Sequence, residues 1–412
     1  MREMKDSGVE WIGMIPDEWE QIRLRFLCNI TTGNMDTQDN NPEGVYPFYV
    51  RSPIIEHSDN YTFDNEAVLM AGDGVGAGKV FHYVNGKYGC HQRVYSLSNF
   101  TEIYGKYLFY YLKENFYKKI EESNAKSTVD SVRLPMLKDF PVVFPNKEKQ
   151  RKIITYLDEK NAKIDFIIAK QEQIVEKLKD YKLSVITEAT TKGLNPDVEM
   201  KSSGMEWIGE VPKAWKAAKL GTICDRPITY GIVKMGDYDE NGVKALRCSD
   251  VQAGYIDETN IRTVTKELSD EYSRTILRGG EIVINVRGTL GGCAEVPEKM
   301  RGYNIAREVA MVAVSGAEPR FVMYNLLSLA FKAYQDYCLR GVIYVGLNIN
   351  LLNKYVLFLP SIEEQNQIVE YLDRKCSEID KEINRRRLLI EKLQEYRRNL
   401  IYEVVTGKKE VV

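Results

Sequence analysis

The stretch AGDGVGAGKV at residues 71–80 has the glycine density of a phosphate-binding loop. A P-loop requires G-x-x-x-x-G-K-[ST], in which backbone N–H groups cradle phosphates and the hydroxyl meets magnesium. With Gly78-Lys79 in register, that pattern demands glycine at 73 and Ser or Thr at 80, where the chain has Asp73 and Val80. The dinucleotide pattern G-x-G-x-x-[GA] is met only by Gly72, Gly74 and Ala77, a permissive match. A backbone turn, or a loop facing DNA, is the expectation left for this segment. Cys90-His91 has the residue types of an activated thiol, but the matching positions of a second, related half hold Ile305 and Ala306. A duplicated catalytic pair is therefore excluded, and a buried thiol beside a polar strand residue is expected. The paired carboxylates Asp158 and Glu159 fall in a long helical pattern and read as its solvated face.

Polar and basic side chains in segments between apolar runs carry a stronger signal. The first half offers Thr31, Thr32 and Asn34 around Gly33, then Arg51, Lys79, Gln92 and Arg93. The second offers Tyr230, Lys234, Arg247, Arg287, Thr289, Asn304 and Arg307. Arginine reads guanine, and asparagine or glutamine reads adenine, through paired hydrogen bonds in the major groove. Singly each is an ordinary surface residue; as two sets on two copies of one scaffold they are candidate base readers. No catalytic residue is assigned. The chain has no NPPY or DPPY tetrapeptide of the methyltransferase kind and no acidic metal cluster in sequence.

Composition bounds the setting. The chain has 412 residues, 44% hydrophobic and 28% charged, enough for two or three folded domains. No apolar run approaches the roughly 18 residues of a membrane span, and MREMKDSGVE lacks a signal-peptide core, so a cytoplasmic protein is expected. Seven scattered cysteines, never spaced C-x-x-C, argue for reduced thiols, and three histidines argue against a zinc site. A net charge of −2 speaks against a protein that grips nucleic acid by phosphate neutralisation alone.

The elements that must position those residues are written twice. SGVEWIGMIPDEW at residues 7–19 returns as SGMEWIGEVPKAW at 203–215. Trp11 matches Trp207 at an offset of 196, while EAVLMAGDGVG from Glu66 matches EIVINVRGTLGG from Glu281 at 215. The second copy has thus gained about 19 residues, mostly around DETNIRTVTKELSDEYSRT. Within each copy, EAVLMAG, RVYSL, EIVINVR and EVAMVAV read as strands. YGKYLFYYLKENFYKKI and PRFVMYNLLSLAFKAYQDY each read as an amphipathic helix.

Each copy ends in a long helical pattern that starts after a proline, at PNKEKQRKI and PSIEEQNQI, and meets no Gly or Pro until Gly193 and Gly407. A heptad seam runs through Ile154, Leu157, Asn161, Ile164, Ile168, Gln171, Val175, Leu178, Lys182 and Val185. Adding 215 gives Val369, Leu372, Cys376, Ile379, Ile383, Arg386, Ile390, Leu393, Arg397 and Leu400. The polar interruptions fall at the same heights in both, which argues for a coiled coil over two unrelated surface helices. About 40 residues make a rod of roughly 60 Å. The expected domains are a first globule at 1–145, a helix at 146–192, a second globule at 193–360 with a linker at 193–202, and a helix at 361–406.

With these motifs in order and in duplicate, the chain resembles the specificity subunits of type I restriction–modification enzymes. The carriers are the two openings, the P-x-x-x-E-x-Q-x-x-I helix starts, YLDEKNAKID with YLDRKCSEID, and the helix ends EKLKDYKLSVITEATTKGL and EKLQEYRRNLIYEVVTGK. The resemblance covers nearly the whole chain. It implies an α+β fold of two tandem target-recognition domains, separated by two long helices packed as an antiparallel coiled coil with pseudo-twofold symmetry. It implies sequence-specific binding of double-stranded DNA with a bipartite target, and no chemistry in this chain. S-adenosylmethionine, ATP and Mg would belong to partners: two modification subunits and, through them, restriction subunits. Such partners would also supply phosphate contacts, which accounts for the low net charge. A self-contained DNA-modifying enzyme and a coiled-coil scaffold without DNA contact are the alternatives.

Overall fold

The structure, a computed structural model, describes residues 2–123, 131–339 and 346–411. These form two compact units, Met1–Glu172 with Arg387–Val412 and Gln173–Arg386, so each long helix is divided between the units.

In the first unit FDNEAVLMA becomes β4 (Phe63–Ala71) of a six-stranded sheet. The other strands are β1 (Asn29–Thr32), β2 (Tyr46–Tyr49), β3 (Glu56–Ser58), β5 (Phe81–Cys90) and β6 (Val94–Ser98), in the order β1-β6-β4-β5-β2-β3. The apolar run of β4 is continuous because both of its faces are covered. Val68 and Met70 pack among Tyr107, Leu108, Tyr111 and Leu112 of α1 (Gly105–Ser123), while Ala67 and Leu69 pack with Tyr49, Val84 and Tyr88. β4 and β5 pair antiparallel from Phe63↔Tyr88 to Met70↔Phe81. β2 joins β5 in parallel at Phe48↔Gly89 and Tyr49↔Cys90.

The second unit repeats this plan in shorter strands: β7 (Thr229–Tyr230), β8 (Val243–Leu246), β9 (Arg262–Val264), β10 (Ile282–Asn285), β11 (Cys293–Glu295), β12 (Asn304–Ile305) and β13 (Val309–Val312). They form sheets ordered β7-β13-β10-β11 and β9-β8-β12. Strand for strand, β11 and β12 share the place of β5. Pro297, the turn Glu298–Met300 and Gly302 at φ 89° divide them. The parallel step survives at Ala245↔Asn304 and Leu246↔Ile305. The helix expected across residues 319–337 is two helices, α3 (Pro319–Leu327) and α4 (Leu329–Cys338). At Ser328 the backbone turns extended, and its hydroxyl caps the new helix by accepting from the Phe331 amide at 3.2 Å.

The long helices are α2 (Lys147–Lys192) and α5 (Ile362–Val405). Asn146 and Ser361, equivalent positions, cap them by accepting from the Lys149 and Glu364 amides at 3.0 and 3.2 Å. Gly193 and Gly407 end them at φ 78° and 72°, a left-handed stop that only glycine adopts without strain. One turn into each helix a buried glutamine ties it to its own globule. Gln150 accepts from the Tyr104 amide at 2.9 Å and donates to the Glu102 and Pro145 carbonyls at 3.0 and 2.8 Å. Gln365 accepts from Glu318 at 2.8 Å and donates to Pro360 at 3.0 Å.

Asp158 corrects the expectation of a solvated face. It accepts from Lys106 Nζ and Tyr110 Oη, both at 2.6 Å, and only Glu159 is exposed. Its counterpart Asp373 takes both ends of the Arg320 guanidinium at 2.6 Å and Tyr324 Oη at 2.7 Å.

Along the seam, Leu157, Ile164, Ile168, Val175, Val369, Leu372, Ile379 and Ile383 are buried, and Ile154, Leu178, Ile390 and Leu393 are half-buried. In the first unit, Ile153 and Leu157 of α2 share a cluster with Leu400, Ile401, Val404 and Val405 of α5, and Arg397 reaches Asp165 at 2.5 Å. In the second, Val175 and Leu178 meet Ile379 and Ile383, and Lys182 holds Asp380 at 2.7 Å. These two ion pairs are one interaction at repeat-equivalent positions, which explains the polar interruptions at 182 and 397. The opening segments pack on helix ends as well. Ile12, Ile15 and Trp19 join Leu400 to Val405, and Val211 and Trp215 join Val185, Ile186 and Ala189. Trp11 stacks on Phe140 at 5.5 Å and Trp207 lies 5.4 Å from Tyr334, so the tryptophans serve cores.

Removing either glutamine strands buried backbone groups. Gln150→Ala and Gln365→Ala are each expected to lower stability by about 2–3 kcal/mol in denaturant unfolding. Asn366→Ala, on the exposed side of the same turn, should stay within about 0.5 kcal/mol; equal effects at all three would show that the glutamine ties carry no stability.

Candidate nucleic-acid interface

The parallel β2–β5 step and the tight turn into β6 bring four backbone segments to one corner of the first sheet. His91 donates its amide to the Tyr49 carbonyl at 3.0 Å, Gln92 to Met35 at 2.8 Å, and Gly72 to Arg93 at 2.9 Å. The approach is close enough that a Cβ at Gly33 would sit 1.9 Å from the Cys90 carbonyl oxygen. Five sequence-chosen residues gather here: Asn34, Arg51, Lys79, Gln92 and Arg93, all exposed. Arg51 and Arg93 share the carboxylate of Asp73, at 3.0 and 3.5 Å. Gln92 donates to Asp36 at 2.9 Å, Asn34 accepts from Thr62 at 3.0 Å, and Lys79 Nζ stands 4.6 Å over the Tyr117 ring. Between the loops lies a concavity of about 610 Å³ walled by Arg51, Ser52, Asp73, Lys79 and His91, among others. Thr31 and Thr32 are exposed on β1, which leads into this corner.

The second unit builds the same corner. Arg307 donates its amide to Ile232 at 2.9 Å, as Gln92 does to Met35, and Ala306 donates to Leu246 at 2.8 Å. A Cβ at Gly231 would fall 1.8 Å from the Ile305 carbonyl oxygen, repeating the constraint at Gly33. The side chains differ. Arg287 lies 5.5 Å over the Tyr230 ring, Arg307 pairs with Glu308 at 3.6 Å, and Thr289 and Lys234 are exposed nearby in sequence.

Two sequence-chosen residues are structural instead. Asn304 is fully buried; its amide bonds Ser269 and its oxygen accepts from Thr275 at 2.7 Å, so it anchors the inserted segment to β12. Arg247 is half-buried and spends its guanidinium on Asp250, at 3.1 and 2.9 Å, and on the Asn260 carbonyl. An asparagine and an arginine between apolar runs look alike in sequence whether they face solvent or brace a turn. Sequence reasoning in turn missed Asp36 and Asp73, which bond Gln92, Arg51 and Arg93, and Asn285. The last is buried and donates to the Cys248, Val251 and Thr289 carbonyls at 2.9 to 3.1 Å, fixing the loop that carries Arg287. The one available signal was an acid inside the glycine-rich loop, GDG.

Electrostatics at the first corner follow from the bonds. The Thr37 amide, then its hydroxyl and His91, hold the Asp36 carboxyl below the usual range. His91 Nδ1 accepts from the Arg93 amide at 3.0 Å, which leaves Nε2 to carry the proton toward Asp36, 3.4 Å away. Burial pushes the Cys90 thiol up to about 12. A protonated thiol enclosed by carbonyls is no nucleophile. Among the described residues, no group of His, Cys, Asp and Glu is arranged to hold a metal, and no helix is long and apolar enough to cross a membrane.

Residues 16–177 and 212–388, one stretch in each copy, match the type I restriction modification DNA specificity domain. The chain belongs to that family. Type I specificity subunits from distant sources align along most of its length. The EcoBI subunit of Escherichia coli is 25% identical over 93% of this chain and 85% of its own. The MjaVIII subunit of Methanocaldococcus jannaschii is 26% identical over 96% and 93%. A chain from a structure solved for complex assembly and conformational transition of the type I R-M system covers 96% of this chain and 99% of its own. Its TM-score is 0.67 at 15% identity, a likeness of fold. As a specificity subunit the chain serves DNA sequence recognition, and the matched stretches contain both corners.

The buried Cys90 gives a direct check on the corner's packing. With its thiol held protonated up to about pH 12, alkylation by iodoacetamide at pH 8 should leave Cys90 unmodified in the folded protein and modify it fully in denaturant. Peptide mapping that finds native Cys90 alkylated as fast as the denatured form would contradict the described packing.

Proposed function

We propose that this specificity subunit reads a two-part double-stranded DNA target, one half-site per unit, and docks the modification subunits that act there. The observation that carries the proposal is the duplicated corner: one backbone frame, set by Gly33 and Gly231, displays different side chains in its two copies. Gln92 stands where the second unit has Arg307, and Gly72-Asp73 where it has Arg287-Gly288. A shared frame with altered polar side chains suits two readers of different half-sites.

In this proposal α2 and α5 pack as an antiparallel coiled coil and set the gap between half-sites. Support comes from the matched heptads and from the equivalent pairs Asp165–Arg397 and Lys182–Asp380. Duplication of the opening hairpins and helix ends offers two equivalent docking surfaces, which fits two modification subunits, with restriction subunits joining through them. Methyl transfer from S-adenosylmethionine and ATP- and Mg-dependent steps belong to those partners. This chain orients their target through side-chain hydrogen bonds to base edges, and no residue of its own is assigned to bond making.

The test is a domain exchange. Residues 203–360 contain the second unit's two sheets and both strands of the ladder Lys216–Lys219 with Val356–Leu359, so that ladder is exchanged whole. Replacing them with the same segment of another family member, expressed with the modification partner, should change one half of the methylated motif and leave the other intact. A motif altered in both halves would refute one reader per unit.

A further inference from the structure

The glycine-rich loop at residues 72–78 has a use that neither nucleotide binding nor generic flexibility accounts for. Its glycines lie against the backbones of two arginines. A Cβ at Gly72 would come 2.9 Å from the Arg93 carbonyl oxygen, and one at Gly76 would come 2.4 Å from that of Arg51. Gly74 and Gly78 take φ 73° and 61°, which turns the loop back on itself. The side chain this loop delivers between them is Asp73. Its two oxygens hold Arg51 Nη1 at 3.0 Å and Arg93 Nη1 at 3.5 Å. Both arginine side chains remain well exposed, at 44% and 64%, and Asp73 at 24%.

From this geometry we infer that Arg51, Asp73 and Arg93 act as one unit that reads G·C base pairs in the half-site of the first unit, with Asp73 as the positioning residue. The inference rests on the two-reader function proposed above and names the chemistry of one reader. Two guanidiniums drawn to one carboxylate present donors for guanine O6 and N7, and the carboxylate between them presents an acceptor for cytosine N4. A phosphate clamp is disfavoured because a partly exposed carboxylate would face the phosphate and repel it. The hydrogen bond from Arg51 to Asp73 restricts that side chain's rotamers before DNA arrives, so less is lost on binding. The second unit lacks the device: Gly288 stands at the place of Asp73, and Arg287 is held by the Tyr230 ring instead.

The experiment is methylome sequencing of cells carrying the full-length chain with its modification partner, comparing the unaltered protein with Asp73→Asn, Arg51→Lys and Arg93→Lys. The lysine variants keep charge and lose the fork. At least one G·C pair is expected in the first unit's half-site, identified by exchanging the second domain. Each variant should relax discrimination at one or two adjacent G·C positions by about 10- to 100-fold, with the other half-site unchanged. A first half-site without G·C pairs would overturn the inference. So would variants that keep the motif and lose methylation evenly at every site, the mark of a phosphate contact. Failure of the two-reader function would look different: the unaltered protein would yield no two-part motif, and this inference would fall with it.

Discussion

The packing on which the structure depends is the burial of a long helix's last turns beneath an opening hairpin. A pair of three-residue strands, such as Met4–Asp6 with Met14–Pro16, has no independent stability. It persists because Ile12, Ile15 and Trp19 cover Leu400, Ile401, Val404 and Val405 in the first unit. The second unit repeats the arrangement with Val211 and Trp215 over Val185, Ile186 and Ala189. Since the first unit takes its cover from α5 and the second from α2, neither half of the sequence supplies a complete unit alone. The duplicated tryptophan phrases are the sequence trace of this mutual closure.

A second layer of the design separates frame from text. Gln150 and Gln365, Asp158 and Asp373, and Gly33 and Gly231 keep type and task in both units, because each meets a backbone or helix contact with one geometric solution. Gln92 and Arg307, or Asp73 and Gly288, occupy equivalent places with different chemistry. The first group fixes the frame, and the second sets which side chains each corner displays.

The long helices were legible because apolar residues recur at helical spacing over tens of residues with no internal Gly or Pro. β4, β6, β10 and β13 were legible as short apolar runs. The corners were only partly so. Arg51 and Arg93 stand out by type, but their common partner Asp73 lies far along the chain from either, in a loop that looks like a failed nucleotide motif. Asn304 misled because its burial comes from partners distant in sequence, Thr275 and Ser269, and Arg247 because its guanidinium turns back onto Asp250, three residues on, and the Asn260 carbonyl. Ser328 starts a new helix through its own hydroxyl, and the amphipathic period runs through it without interruption.

The central claim, two readers at a distance set by the helices, is tested most directly by shortening both helices by one heptad, deleting residues 164–170 together with 379–385. The seam stays in phase, and each helix loses about 10 Å at 1.5 Å per residue. At about 3.4 Å per base pair that corresponds to roughly three base pairs, with a rotation of about 100° between half-sites. Methylome sequencing of the folded, partner-binding variant should show the original target no longer methylated, and any motif that replaces it should keep both half-sites with a gap about three base pairs shorter. Methylation of the original target at its original spacing would contradict the account.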